Sequence, residues 1–152
     1  MQGGRPKAYR PIPPELRRAA LDDGLAAYAH GNFFEAHELL EPAWMGTDDL
    51  AERALYQGLI KLAAGYVHAV RGNPIGVERN LRGAKAHLET SLSLDAQLAS
   101  RQGIDVRKLL DDIGIRLAAV AQVAETWTAR AGPLIDLLPA APSILPPPSA
   151  PG

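Results

Sequence analysis

From Leu55 to Val70 the chain is apolar on almost every side of a helix. Leu55, Leu59, Leu62, Ala63, Tyr66 and Val70 recur at helical spacing, and Ile60, Ala64 and Val67 widen the face they form. A helix that is apolar nearly all round has to be enclosed, so the pattern predicts a central helix over about Asp49 to Arg71 with other helices packed around it. Gln57 and His68 interrupt the face three turns apart and therefore on one side of it. Buried polar groups are as a rule hydrogen-bonded, and a lone histidine on such a face is more often a satisfied core residue than a ligand.

The segment before it, Phe33 to Trp44, holds the densest set of chemically distinctive residues. Phe34, His37, Glu38 and Glu41 fall at i, i+3, i+4 and i+7 of a helix, with Leu40 and Trp44 along one border. The stripe is apolar at its ends and ionisable in its middle. His37 and Glu41 are one turn apart, close enough to hydrogen-bond, and a carboxylate beside an imidazole favours the charged form of both. The simplest expectation is a structural polar cluster of His37, Glu38, Glu41, Trp44, Gln57 and His68, with a His37–Glu41 pair fixing the register of two helices and Gln57 satisfying a buried carboxylate. The alternative is a metal site of His37, Glu41 and His68, with Glu38 as base or fourth ligand and Glu38 and Glu41 as candidate catalytic carboxylates. The chain has neither a His-Glu-x-x-His nor a Glu-x-x-His sequence, so the expectation is no metal and no cofactor.

Around these two helices the rest of the chain reads as an all-α fold of about five helices in antiparallel hairpins. Residues 1–14, with Pro6, Pro11, Pro13 and Pro14, form an extended arm. The helical domain spans 15–138. Its first helix covers about Pro14 to His30, with Leu16, Ala20, Leu21, Leu25, Ala27 and Tyr28 on a broad apolar face. Gly31-Asn32 ends that helix, glycine taking the left-handed position and asparagine capping the next element. Pro42 lies inside the second helix, where it removes the backbone bond to the Glu38 carbonyl and predicts a kink. Gly46-Thr47 closes that helix, with Thr47 or Asp48 capping the third. A fourth helix follows the Gly72-Asn73-Pro74 turn to about Ser93. A fifth spans about Asp105 to Ala131, with Trp127 at the end of its stripe, and Leu134 to Leu138 folds back as a last turn. From Pro139 the sequence is proline, alanine and serine, which predicts a disordered tail over 139–152. The two Gly-Asn turns, each between helices, give the hairpins a tetratricopeptide-like character without that repeat's period of about 34 residues.

With 152 residues and a net charge of −1, the chain has room for one cored domain and lacks the basic footprint of a nucleic-acid partner. It contains no cysteine, which excludes disulfides, thiolate zinc sites and cysteine nucleophiles. No apolar run approaches the roughly 20 residues of a membrane span and the N-terminus has no signal-peptide core, so a cytoplasmic protein is expected.

Gly31-Asn32-Phe33 leading into Ala36-His37-Glu38-Leu39-Leu40-Glu41 with Trp44, then Tyr56-Gln57-Gly58-Leu59-Ile60-Lys61-Leu62-Ala63-Ala64, His68, and Arg71-Gly72-Asn73 with Gly76, resemble the bacterial and archaeal domain of unknown function family 309. The resemblance covers roughly Leu25 to Leu88. It implies packed helical hairpins with the signature residues gathered between the second and third helices, and it implies no activity. Pro42 stands where that family's pattern has polar helix formers. Three function classes follow: a helical binding or scaffold module with a protein partner, a self-associating structural subunit, or an acid–base or metal-dependent enzyme using His37, Glu38, Glu41 and His68. The Gly-Asn hairpins and the lack of a nucleophile arrangement favour the first.

Overall fold

The computed structural model describes residues 9–126 and 138–145. Six helices follow one another: α1 (Pro14–Ala29), α2 (Phe33–Met45), α3 (Leu50–Val70), α4 (Pro74–Leu94), α5 (Leu98–Arg101) and α6 (Val106–Thr126). No strand occurs among the described residues, and the fold is all-α. Five of the helices are those legible in the sequence. The sixth is the four-residue α5, a turn in the connection between α4 and α6 whose Leu98 and Ala99 are buried. The expected end of the last helix at Ala131, Trp127 on its stripe, and the Leu134–Leu138 turn apart from Leu138 lie outside the described residues, as do 1–8 of the arm and 146–152 of the tail.

The central position of α3 follows from its composition. Twelve of its residues are buried, among them Leu55, Tyr56, Leu59, Leu62, Ala63 and Tyr66, and α2 and α4 both pack against it. α1 packs on α2, and α6 packs on α4. Two glycines allow close approach of helix pairs. A Cβ on Gly58 would stand 2.7 Å from Leu88 Cγ, and one on Gly24 2.5 Å from Leu40 Cγ. The α3–α4 and α1–α2 crossings are thus built around missing side chains.

Gly31 and Gly72 adopt φ of 80° and 73°, the left-handed caps that the Gly-Asn pairs predict. The two turns differ in one respect. Asn73 caps α4 by accepting from Gly76 N at 3.1 Å, whereas the Asn32 side chain makes no cap bond to α2. At α3 the cap is Asp49, which accepts from Glu52 N at 2.9 Å, and not Thr47 or Asp48. Thr47 is instead buried, its hydroxyl accepting from Asp49 N and donating to Glu52.

The described part of the arm has a definite task. Arg10 N donates to Met45 O at 2.7 Å and Ile12 N to Gly46 O at 3.2 Å. These bonds satisfy carbonyls at the end of α2 that a helix terminus leaves without an internal partner. The stretch from Pro139, expected to be disordered, makes contacts through residues 142 and 144. Ile144 is 6% exposed and belongs to the core, and Tyr28 donates its hydroxyl to Pro142 O at 2.7 Å. The isoleucine supplies the apolar surface that the proline and alanine around it lack. Two residues assigned to buried faces are also corrected: Leu16 is 53% and Val70 50% exposed. Leu16 lies in the first turn of α1 and Val70 is the last residue of α3.

Candidate functional site

The short connection from Gly46 to Asp49 makes α3 run back along α2. That antiparallel register sets the α2 stripe beside the polar positions of α3. His37, Glu41 and Trp44 from α2, Gln57, Ile60, Lys61 and Ala64 from α3, and Asn80 from α4 line one pocket of about 230 Å³. Toward the start of α2, Phe34, His37, Ala64, Val67, His68 and Arg71 line a second hollow of about 160 Å³. Phe34, Val67, Val70 and Arg71 then border a wider one at the Gly31-Asn32 turn. A groove therefore follows the seam between α2 and α3, apolar toward the turn and polar at the Trp44 end.

The stripe is less enclosed than the sequence predicts. Phe34 is 59% exposed and Glu38 is exposed, while His37, Glu41 and Trp44 are half-buried. Of the two residues on the stripe's border, Leu40 is in the core and Trp44 packs against it. Pro42 lies on the outer side of α2, and the helix continues through it to Met45.

The hydrogen bonding departs from expectation in three ways. The His37–Glu41 bond is not formed: His37 Nδ1 is buried without a hydrogen-bond partner, and the nearest carboxylate oxygen, Oε1 of Glu38, stands 3.9 Å away. Such a separation is too long for a hydrogen bond. No hydrogen bond joins Gln57 to Glu41 either, and the Gln57 Oε1 is also buried and unpartnered. His68, finally, belongs to the α3–α4 turn. Its Nδ1 lies 3.1 Å from Asn73 Nδ2, and its ring packs so closely on Gly76 that a Cβ there would fall 2.5 Å from Cγ. His37, Glu38 and Glu41 each offer a ligand atom within 4.8 Å of the others, and His68 is not in that group.

The Trp44 end of the pocket is held by contacts the sequence did not announce. Arg53 donates to Trp44 O at 3.1 Å and Thr47 O at 3.0 Å while its guanidinium lies over the Trp44 ring. Burial lowers the pKa of that arginine, against an opposing pull from Asp48. Next to it Glu52 accepts from Thr47 and Tyr56 and pairs with Arg17 at 3.5 Å, Arg17 and Glu52 each being 17% exposed. Burial, then the Glu52 charge, pushes the Tyr56 hydroxyl up to about 12. Arg17 also donates to Ile12 O, so the network joins arm, α1 and α3.

Lys61 and Asn80 are the pocket residues that sequence reasoning missed. Lys61 carried a signal, since it is a cation one turn from Gln57 on an otherwise apolar helix. It also faces His87, whose pKa is lowered first by burial and then by the Lys61 charge. Asn80 carried none, because its place at the pocket depends on the crossing of α3 and α4. Among the described residues no helix is long and apolar enough to cross a membrane.

Residues 21–80 match the family described as "Domain of unknown function (DUF309)". That span holds every residue lining the pocket. No curated protein and no solved structure matches the chain.

Proposed function

Residues 21–80 of this chain form a DUF309 domain, and we propose that this domain is a binding module whose site is the pocket between α2, α3 and α4. The observation that carries the reading is the pair of buried, unpartnered polar atoms, His37 Nδ1 and Gln57 Oε1, on two helices lining the same cavity. A buried polar atom without a hydrogen bond costs about 1–3 kcal/mol. A polar group entering from outside, from a small molecule or a partner's side chain, relieves both costs at once. Glu41, Lys61 and Asn80 add further donors and acceptors around it, and Trp44 and Ile60 supply the apolar wall that ligand pockets use. The exposed Phe34 and Val70 extend the surface available to a larger partner along the groove.

The test is a titration of the full chain with small amides, carboxylates and amines, followed through backbone amide shifts. Shifts concentrated at residues 37, 44, 57 and 61 that saturate, and that vanish in Gln57→Leu, support the reading. Shifts scattered over the surface with no saturation at this pocket contradict it.

A second reading, a self-associating subunit, is favoured by the exposure of Phe34 and Val70 on one hollow. Sedimentation of the parent against Phe34→Ser decides it: a dimer abolished by the substitution supports it, and a monomeric parent contradicts it.

A further inference from the structure

We propose that the surface of α1, α2 and α6 beneath residues 138–145 is a docking site for an extended, proline-rich segment of a partner protein, and that the chain's own C-terminal stretch occupies it until such a partner arrives. This surface shares no lining residue with the pocket between α2, α3 and α4. The inference therefore does not depend on the binding-module reading of that pocket.

The resident segment shows what the surface selects. Pro142 and Ile144 are buried while Ser143 and Leu145 are exposed, the alternation of an extended chain laid on a surface. Pro139-Ala140-Ala141-Pro142 carries the Pro-x-x-Pro spacing of segments that dock in aromatic-lined grooves. The hydrogen bonds run in one direction. Tyr28 donates its hydroxyl to Pro142 O at 2.7 Å and Arg116 donates from Nε to Ala140 O at 2.8 Å, while no backbone N–H of 138–145 donates to a described residue. A surface that supplies donors and asks for none suits proline, which has a carbonyl acceptor and no N–H. The rings are in place too: Tyr28 meets Phe33 edge-on at 5.5 Å, and Phe33 lies 5.3 Å from Tyr66.

The resident also leaves the site underfilled. A cavity of about 520 Å³ remains between the segment and Leu25, Tyr28, Ala29, Gly31 and Phe33. The hydroxyl of Tyr66, whose ring packs on Phe33, is buried without a hydrogen-bond partner. Attachment to the same chain supplies the high effective concentration that a loosely fitting segment needs to stay in place. A partner segment with a larger side chain beside its prolines fills the cavity and displaces the resident.

A fluorescently labelled synthetic peptide spanning residues 138–148 tests the site, titrated into the full chain and into full-chain Ile144→Ala, which keeps the tail and weakens its anchor. The expected result is one equivalent bound by Ile144→Ala, at least about tenfold more tightly than by the parent, whose intact tail competes. The same peptide carrying Ile144→Ser should bind neither chain, and adding Tyr28→Phe to Ile144→Ala should weaken the parent peptide. In the parent chain itself, excess unlabelled peptide should shift the backbone amides of residues 25, 28 and 33, a readout that does not rely on a variant folding. Unmoved amides there overturn the site, as does no saturable binding, or binding no tighter than the parent's, by an Ile144→Ala chain that keeps its helical circular dichroism. A dimeric parent that becomes monomeric in Ile144→Ala overturns the partner assignment, because the surface is then filled by a second copy's tail. Peptide binding here with no response of residues 37 and 57 to small polar probes would uphold this inference while the reading of the other pocket fails. Probe binding there without peptide binding here would do the reverse.

Discussion

Arg53 lies 4.7 Å from the centroid of the Trp44 ring while donating a hydrogen bond to the carbonyl of the same tryptophan. One side chain of α3 thus grips both ends of a residue on α2. A second bond from the same guanidinium to Thr47 O ties down the turn between the two helices. The Trp44 side of the pocket is fixed in this way.

Replacing Arg53 by alanine removes a cation–π contact and two charge-assisted bonds, leaving the Trp44 and Thr47 carbonyls without that donor. The expected loss is about 1.5–3 kcal/mol in equilibrium denaturation. Arg53→Lys should recover only part of it, because an ammonium can still donate to the carbonyls but has no planar face to lay on the ring.

The glycines give an opposed pair. Gly58→Ala puts a methyl 2.7 Å from Leu88 Cγ and 3.3 Å from the Ala84 carbonyl, so it should cost about 1–3 kcal/mol. Gly114 lies inside α6 with nothing within 4 Å of an added Cβ. There Gly114→Ala should stabilise by about 0.4–1 kcal/mol. Thermal melts of the two variants beside the parent check both signs.

Alkaline pH should destabilise the fold. Burial raises Tyr28 well above 10.0 and brings both Tyr56 and Tyr66 to about 12. These phenols stay protonated in the folded chain after they ionise in the unfolded one. Their contribution is therefore complete below pH 10 and is lost as pH rises from 10 through about 12. The stability of Tyr56→Phe, measured across that range, should fall less steeply than that of the parent.

The C-terminal stretch 138–145 should matter for folding. Ile144→Ser exposes a cavity beside Leu25, Tyr28 and Phe33 and is expected to cost about 1.5–3 kcal/mol. Tyr28→Phe, which removes only the bond to Pro142 O, should cost about 0.5–1.5 kcal/mol. Melting curves identical to the parent for both would mean that this stretch does not hold to α1.

The helices were legible because each carries a periodic apolar face and an explicit punctuation mark. Gly31, Gly72 and the prolines at the starts of α1 and α4 stand where a helix has to stop or begin. The antiparallel α2–α3 pair followed from a short loop. What could not be read was which carboxylate meets which donor. The sequence puts Glu41 one turn from His37, but rotamer and crossing geometry leave them unbonded, and Glu52 became the paired acid instead. Asp49 displaced Thr47 as the cap for a similar reason, since the buried hydroxyl was drawn to Glu52. Ile144 shows the limit of composition: one isoleucine among prolines was enough to dock a stretch whose average argued against it.

The equilibrium stability of Gln57→Leu bears most directly on the claim that the pocket is kept for a group from outside. A leucine of similar volume removes the unpartnered Oε1 and adds apolar surface beside Trp44 and Ile60. If the amide has no partner within the domain, urea denaturation should find the variant as stable as the parent or up to about 2 kcal/mol more stable. A loss of more than about 1 kcal/mol with the fold intact would mean that Gln57 is held by partners of its own, and the pocket would then be part of the scaffold and not a binding site.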